Sequence, residues 1–110
     1  MSKPLITIVS ANYNDSLFKE LMLYAFDKLT FNSFKTIFMD NGSDKRNVSV
    51  LRKLLENYDN LNIIYQNQNV AGSQGHGEAL DKMVDMVETE YTVVMDSDCT
   101  FLMKHWDELL

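Results

Sequence analysis

The residues best suited to chemistry are the carboxylates of Asp96-Ser97-Asp98, which follow the apolar run Val93-Val94-Met95. In an extended chain alternate side chains point the same way, so acids at i and i+2 can face one cation. Hard divalent ions such as Mn²⁺ and Mg²⁺ take oxygen ligands, usually one or two carboxylates completed by water and phosphate oxygens. Three further polar clusters also follow short apolar runs: Asn12-Tyr13-Asn14-Asp15, Asp40-Asn41-Gly42-Ser43-Asp44 and Gln66-Asn67-Gln68-Asn69. Any one of them is an ordinary turn sequence, since Asn, Asp, Gly and Ser favour turns. Their repetition after successive apolar runs is what points to a site.

A second signal is the segment from Asn69 to Ala79, with Gly72, Gly75 and Gly77 around His76. Glycines allow a backbone to approach a ligand closely, and a helix beginning near Ser73 would present free N–H groups to phosphate. The segment matches neither GxGxxG nor GxxxxGK[ST], which counts against dinucleotide and P-loop sites. His76 reads as a surface or capping residue rather than a catalyst, and Cys99 as a small packing residue. Neither histidine has a serine or cysteine arrangement suited to nucleophilic catalysis.

These clusters need elements to position them. Leu5 to Val9, Phe34 to Met39, Leu61 to Tyr65 and Tyr91 to Met95 read as strands, the first of them apolar on both faces. Between them, three stripes recur at helical spacing. The first is Phe18, Leu21, Met22, Ala25 and Leu29, capped by Asn14, Asp15 or Ser16. The second is Val48, Leu51, Leu54, Leu55 and Tyr58, capped by Ser43 or Asp44. The third is Ala79, Leu80, Met83, Val84 and Val87. All three are expected to be core. The β-α-β-α-β-α-β order predicts an α/β fold: a mostly parallel, Rossmann-like sheet of about four strands with helices on both faces. In such a sheet the polar clusters all fall at the carboxyl edge, where open α/β folds bind ligands.

The 110 residues, 45% hydrophobic and 24% charged, fit a single folded domain spanning 1–110. A net charge of −6 argues against nucleic acid or an anionic membrane as partner. A small anion bridged by a metal remains compatible with it. No apolar run approaches the roughly 20 residues of a membrane span, and one cysteine leaves no intrachain disulfide. The expected location is therefore the reducing cytoplasm.

Taken together, Ile6 to Asn14, Phe38 to Ser43, Asn69 with Gly75 to Ala79, and Val93 to Asp98 resemble the nucleotide-sugar-binding half of a family 2 glycosyltransferase of the glycosyltransferase A fold. The motifs stand in family order and cover nearly the whole chain. The resemblance implies that Ala11, Asn12 and Asn14 lie along the nucleotide and that Asp40 hydrogen-bonds the base, usually uracil. It also implies that the region from Gly75 borders the nucleotide or sugar, that Asp96 sits by the ribose and diphosphate, and that Asp98 ligates Mn²⁺ or Mg²⁺ with Asp96 beside it. The donor would be a UDP-sugar.

Family members continue past the DxD with acceptor-binding elements and a carboxylate base. The chain is therefore expected to be a truncated or minimal form, inactive alone, with no residue assignable as the base; Asp107 and Glu108 fall too near the DxD. A non-catalytic nucleotide-sugar-binding module is the alternative. A nucleotidyltransferase would carry a Gly-rich, basic loop after the first strand, and a receiver domain would carry acids there; Asn12 to Asp15 fits neither well. Trp106, Leu109 and Leu110 are spaced for one face of a short helix. Either a second copy of the chain or docking back onto the sheet would cover that face, and a homodimer is the favoured expectation.

Overall fold

The computed structural model describes residues 4–65, 80–95 and 104–109. Strands β1 (Ile6–Asn12), β2 (Phe34–Asp40), β3 (Leu61–Tyr65) and β4 (Tyr91–Val94) form one sheet in the order β3-β2-β1-β4, and every pairing is parallel. Helix α1 (Ser16–Leu29) follows β1 and α2 (Lys45–Asn57) follows β2. Residues 80–85 are also helical, and Trp106–Leu109 forms a 3-10 turn. None of the helices among the described residues is long and apolar enough to cross a membrane.

β1 lies between β2 and β4, so all seven of its residues are buried, which is why it is apolar on both sides. Its alternate side chains feed two cores. Ile6 and Ile8 join Met22, Leu23 and Phe26 of α1, Leu51 and Leu54 of α2, and Phe38. Val9 and Ala11 pack on the other face with Ile37, Met39 and Met83. Helices thus cover both faces, as the alternation predicts.

The α1 stripe is rotated from its expected position. Ser16, Lys19, Met22, Leu23 and Phe26 face inward, while Phe18 and Leu21 are exposed. Two polar residues take inward positions because each has a use there. The Ser16 hydroxyl donates to the Asn47 carbonyl at 2.9 Å. Lys19, fully buried, lays its ammonium 5.5 Å from the centre of the Phe38 ring. The expected stripes are also trimmed at Leu55 and Val84, which are exposed.

The tail docks back onto the body of the protein, the less favoured of its two expected courses. Trp106 is buried in the larger core and donates its indole N–H to Thr30 Oγ1 at 2.9 Å. The His105 N–H donates to the Leu29 carbonyl at 2.6 Å, satisfying an orphan acceptor at the end of α1. Asp107 then accepts the backbone N–H groups of Phe31 and Asn32 and the Asn32 side-chain amide, each at 2.7 Å. Trp106 therefore gives no ground for a dimer through the tail.

Candidate functional site at the carboxyl edge

Register builds the site. β1 and β2 pair so that their last residues, Asn12 and Asp40, stand side by side. The ladder continues one step further, with the Asn41 N–H donating to the Asn12 carbonyl at 2.8 Å. Both side chains are buried, so their polar atoms need partners. Asn12 Nδ2 donates to Asp40 Oδ1 at 2.8 Å and to Ser43 Oγ at 3.2 Å. The Ser43 hydroxyl donates to the same carboxylate oxygen at 2.5 Å, and the Ser43 N–H donates to Asp40 Oδ2 at 3.0 Å. Gly42, at φ 89°, makes the turn that brings Ser43 back onto Asp40; a β-carbon would oppose that conformation.

The network extends to the loop after β1. The Asn14 N–H donates to Ser43 Oγ at 2.8 Å. Asn14 itself is left-handed, at φ 57°, a conformation asparagine tolerates better than most residues. Its side-chain oxygen accepts the Asp44 N–H at 2.9 Å and Asn47 Nδ2 at 3.3 Å. Asp44 caps α2 through the Asn47 N–H at 2.9 Å. That backbone bond, followed by one from the Asn47 side chain, holds the Asp44 carboxyl below its ordinary pKa. Asn47 Oδ1 in turn accepts the Ser16 N–H at 3.1 Å, so one side chain ties the starts of both helices together.

Asn12, Asn14 and Asp40 are thus brought together. Ala11 is adjacent in sequence, but it is buried within the sheet opposite Met39, and its side chain packs into the second core with Met39 and Met83. Gly75, Asp96 and Asp98, with His76 and Cys99, lie outside the described residues. β4 runs toward the same edge, and the Met95 N–H donates to the Val9 carbonyl at 2.9 Å.

Sequence reasoning offered Ser16 and Ser43 only as helix caps, without seeing Ser43 as the hub, and it missed Asn47 altogether. The Asp44-x-x-Asn47 spacing, a helix-cap pattern, was the available signal. Tyr65 was also missed: β3 pairs with β2 so that Tyr65 stands beside Asp40. Burial raises the Tyr65 phenol pKa, and the negative charge of Asp40 adds to this against the lowering effect of Arg52. Tyr65 therefore stays a neutral hydrogen-bonding group at this edge. Asn12 Oδ1 is buried with no hydrogen-bond partner.

Asp107, a carboxylate near the DxD in sequence, is far from this edge. It grips the turn that enters β2 at the amino end of the sheet. Burial alone would raise its pKa, but the N–H donors of Phe31 and Asn32 outweigh that and lower it.

Comparison with known proteins gives a consistent picture. The family model described as glycosyl transferase family 2 matches residues 7–110. Among solved structures, the mannosyltransferase PcManGT from Pyrobaculum calidifontis, in complex with GDP-Man and Mn²⁺, superposes with a TM-score of 0.74 at 17% identity, covering 91% of this chain and 29% of that one. S. aureus TarS 1-349 in complex with UDP superposes with a TM-score of 0.72 at 19% identity, covering 94% of this chain and 30% of that one. The complex of the same TarS segment with UDP-GlcNAc gives 0.62 at 21% identity, covering 84% and 26%. The chain spans under a third of the length of these structures, whose shared fold is the glycosyltransferase A type. No curated protein sequence matches the chain significantly.

Proposed function

Because the chain belongs to glycosyl transferase family 2, we propose that its carboxyl edge binds the nucleoside diphosphate of an activated sugar and positions that sugar for transfer to an acceptor. One observation carries this reading. The ends of β1 and β2 and the loops after them are locked into a single hydrogen-bond network around the buried Asp40, at the edge where α/β folds bind ligands. Such a network holds a crevice wall in one shape before ligand arrives, which limits the ordering cost of binding.

Within this reading the Ala11–Asn14 backbone lies along the nucleotide, and Gly75 borders the nucleotide or sugar. A carboxylate has about four acceptor sites. The three donors on Asp40 leave it one for a base N–H, and uracil is the base the family resemblance implies. The Asp96-Ser97-Asp98 motif, which the family resemblance assigns to the metal, is the proposed holder of a divalent cation. Two carboxylates completed by diphosphate oxygens suit Mn²⁺ or Mg²⁺. When bound, such an ion neutralises the charge that develops on the diphosphate leaving group. Asp107 is not the acceptor base, since both of its oxygens serve the turn at the opposite edge. The site lies in a chain expected to work inside the cell, where nucleotide sugars are available.

Calorimetric titration with UDP and with GDP, each in Mn²⁺, Mg²⁺ and chelator, tests this. UDP should bind with metal and lose at least about tenfold in affinity in chelator, and Asp98→Asn should abolish that metal dependence. Equal affinity with and without metal would remove the bridge. GDP binding more tightly than UDP would overturn the base assignment, and no binding of either nucleotide would overturn the reading itself.

A further inference from the structure

α1 is apolar on two sides. Its inner side supplies Met22, Leu23 and Phe26 to the core. On its outer side Leu17, Leu21 and Tyr24 are 60–68% exposed, with Phe18 beside them at 49% and Tyr13 at 59% just before the helix. An exposed apolar stripe of this extent commonly marks an interaction site. Leu17, Leu21, Tyr24 and Lys28 follow one another at intervals of four, three and four residues, the seam spacing of helices that pack lengthwise on each other. We propose that this stripe is a homodimer interface, in which α1 packs antiparallel on α1 of a second copy about a two-fold axis near Leu21. The inference does not rest on the proposed nucleotide site, although Tyr13 stands where the two surfaces meet.

Area and shape choose the occupant. The five exposed apolar side chains present about 600 Å², the upper end of what a monomer usually leaves bare. Mated with its own copy, the stripe would remove at most about 1,200 Å² in total, the lower end of specific, stable interfaces. A two-fold contact also needs a self-complementary patch, and a straight aliphatic and aromatic seam is one. In the antiparallel arrangement Leu17 meets Tyr24 of the second copy, and Lys28 falls beside Tyr13 of that copy. Lys28 already stacks on a tyrosine, its ammonium 5.7 Å from the centre of the Tyr24 ring, so an aromatic neighbour suits it. Antiparallel packing sets the helix dipoles head to tail as well.

The test is sedimentation equilibrium on the full chain across a micromolar concentration series. The wild type should show a monomer–dimer equilibrium. Leu21→Glu should weaken it at least 100-fold, because the substitution occurs twice in each dimer at the centre of the contact. Leu21 is solvent-exposed in the protomer, so circular dichroism and thermal midpoint of that variant should match the wild type. Val84→Glu, at an exposed apolar position on the opposite face of the sheet, should leave dimerisation unchanged. Lys28→Glu should weaken association by less than Leu21→Glu. A wild type that stays monomeric throughout the series would overturn the proposal, and so would a dimer indifferent to Leu21→Glu or one dissociated equally by Val84→Glu.

Discussion

Asp40 and Asp107 are both almost wholly buried, 2% and 3% exposed, yet they stand at opposite edges of the sheet and are held in different ways. Asp107 is saturated largely by backbone: the N–H groups of Phe31 and Asn32, with the Asn32 amide alongside. Asp40 takes one backbone donor and two side-chain donors, Asn12 and Ser43, which themselves reach into two neighbouring loops. The first arrangement is a clamp, joining a tail to a turn 75 residues earlier in the chain. The second is a scaffold, whose members each orient another. Burial alone does not mark a carboxylate as functional; the kind of donor and what lies beyond it separate the two roles.

Breaking the clamp should have the largest effect. Asp107→Ala leaves three part-buried N–H donors without their acceptor and frees the turn on which Trp106 docks. We expect a loss of about 3 kcal/mol, measured by urea unfolding followed through the single tryptophan. Nucleotide affinity of the folded fraction should change little. A loss below about 1 kcal/mol with Trp106 emission still blue-shifted would mean that the indole, rather than the carboxylate, holds the tail.

The scaffold should respond in the opposite proportion. Asp40→Asn keeps the shape but sets an amide donor against either Asn12 Nδ2 or the Ser43 N–H. A stability loss of about 2 kcal/mol should accompany at least a tenfold loss in UDP affinity. Full affinity in a destabilised Asp40→Asn protein would reduce Asp40 to a structural residue like Asp107.

Acid sharpens the contrast on the clamp side. The folded pKa of Asp107 lies below its unfolded value, so its contribution is complete above about pH 4 and is lost as pH falls through the folded value. The stability gap between wild type and Asp107→Asn should therefore close as pH drops below about 4. A gap that persisted at lower pH would contradict the ionised clamp.

The smallest effect is expected at Thr36, buried between the two edges with its hydroxyl unpartnered. Thr36→Val should be neutral within about 0.5 kcal/mol or mildly stabilising in thermal unfolding, since it removes a polar group that gains nothing from burial. A marked loss would reveal a partner for that hydroxyl.

Apolar runs of branched residues and their alternation with helical stripes were enough to foretell four parallel strands and helices on both faces, because strand burial and crossover handedness act on local pattern. The polar clusters after each run likewise placed Asn12, Asn14 and Asp40 at one edge, since a parallel sheet sends every strand end the same way. Only the tertiary structure decided which of those groups face each other. The β1–β2 register set Asn12 against Asp40, and the Gly42 turn delivered Ser43 to both. Periodicity could not foresee the rotation of α1, because Ser16 and Lys19 are polar and find their uses only against Asn47 and Phe38. Nor could it place the tail: Asp107 reads as a surface acid until the unpaired N–H groups of a distant turn are beside it. Hydrophobic pattern is local and additive, so sequence carries it. Hydrogen-bond satisfaction is a property of pairs brought together by folding, and only the folded chain states the pairs.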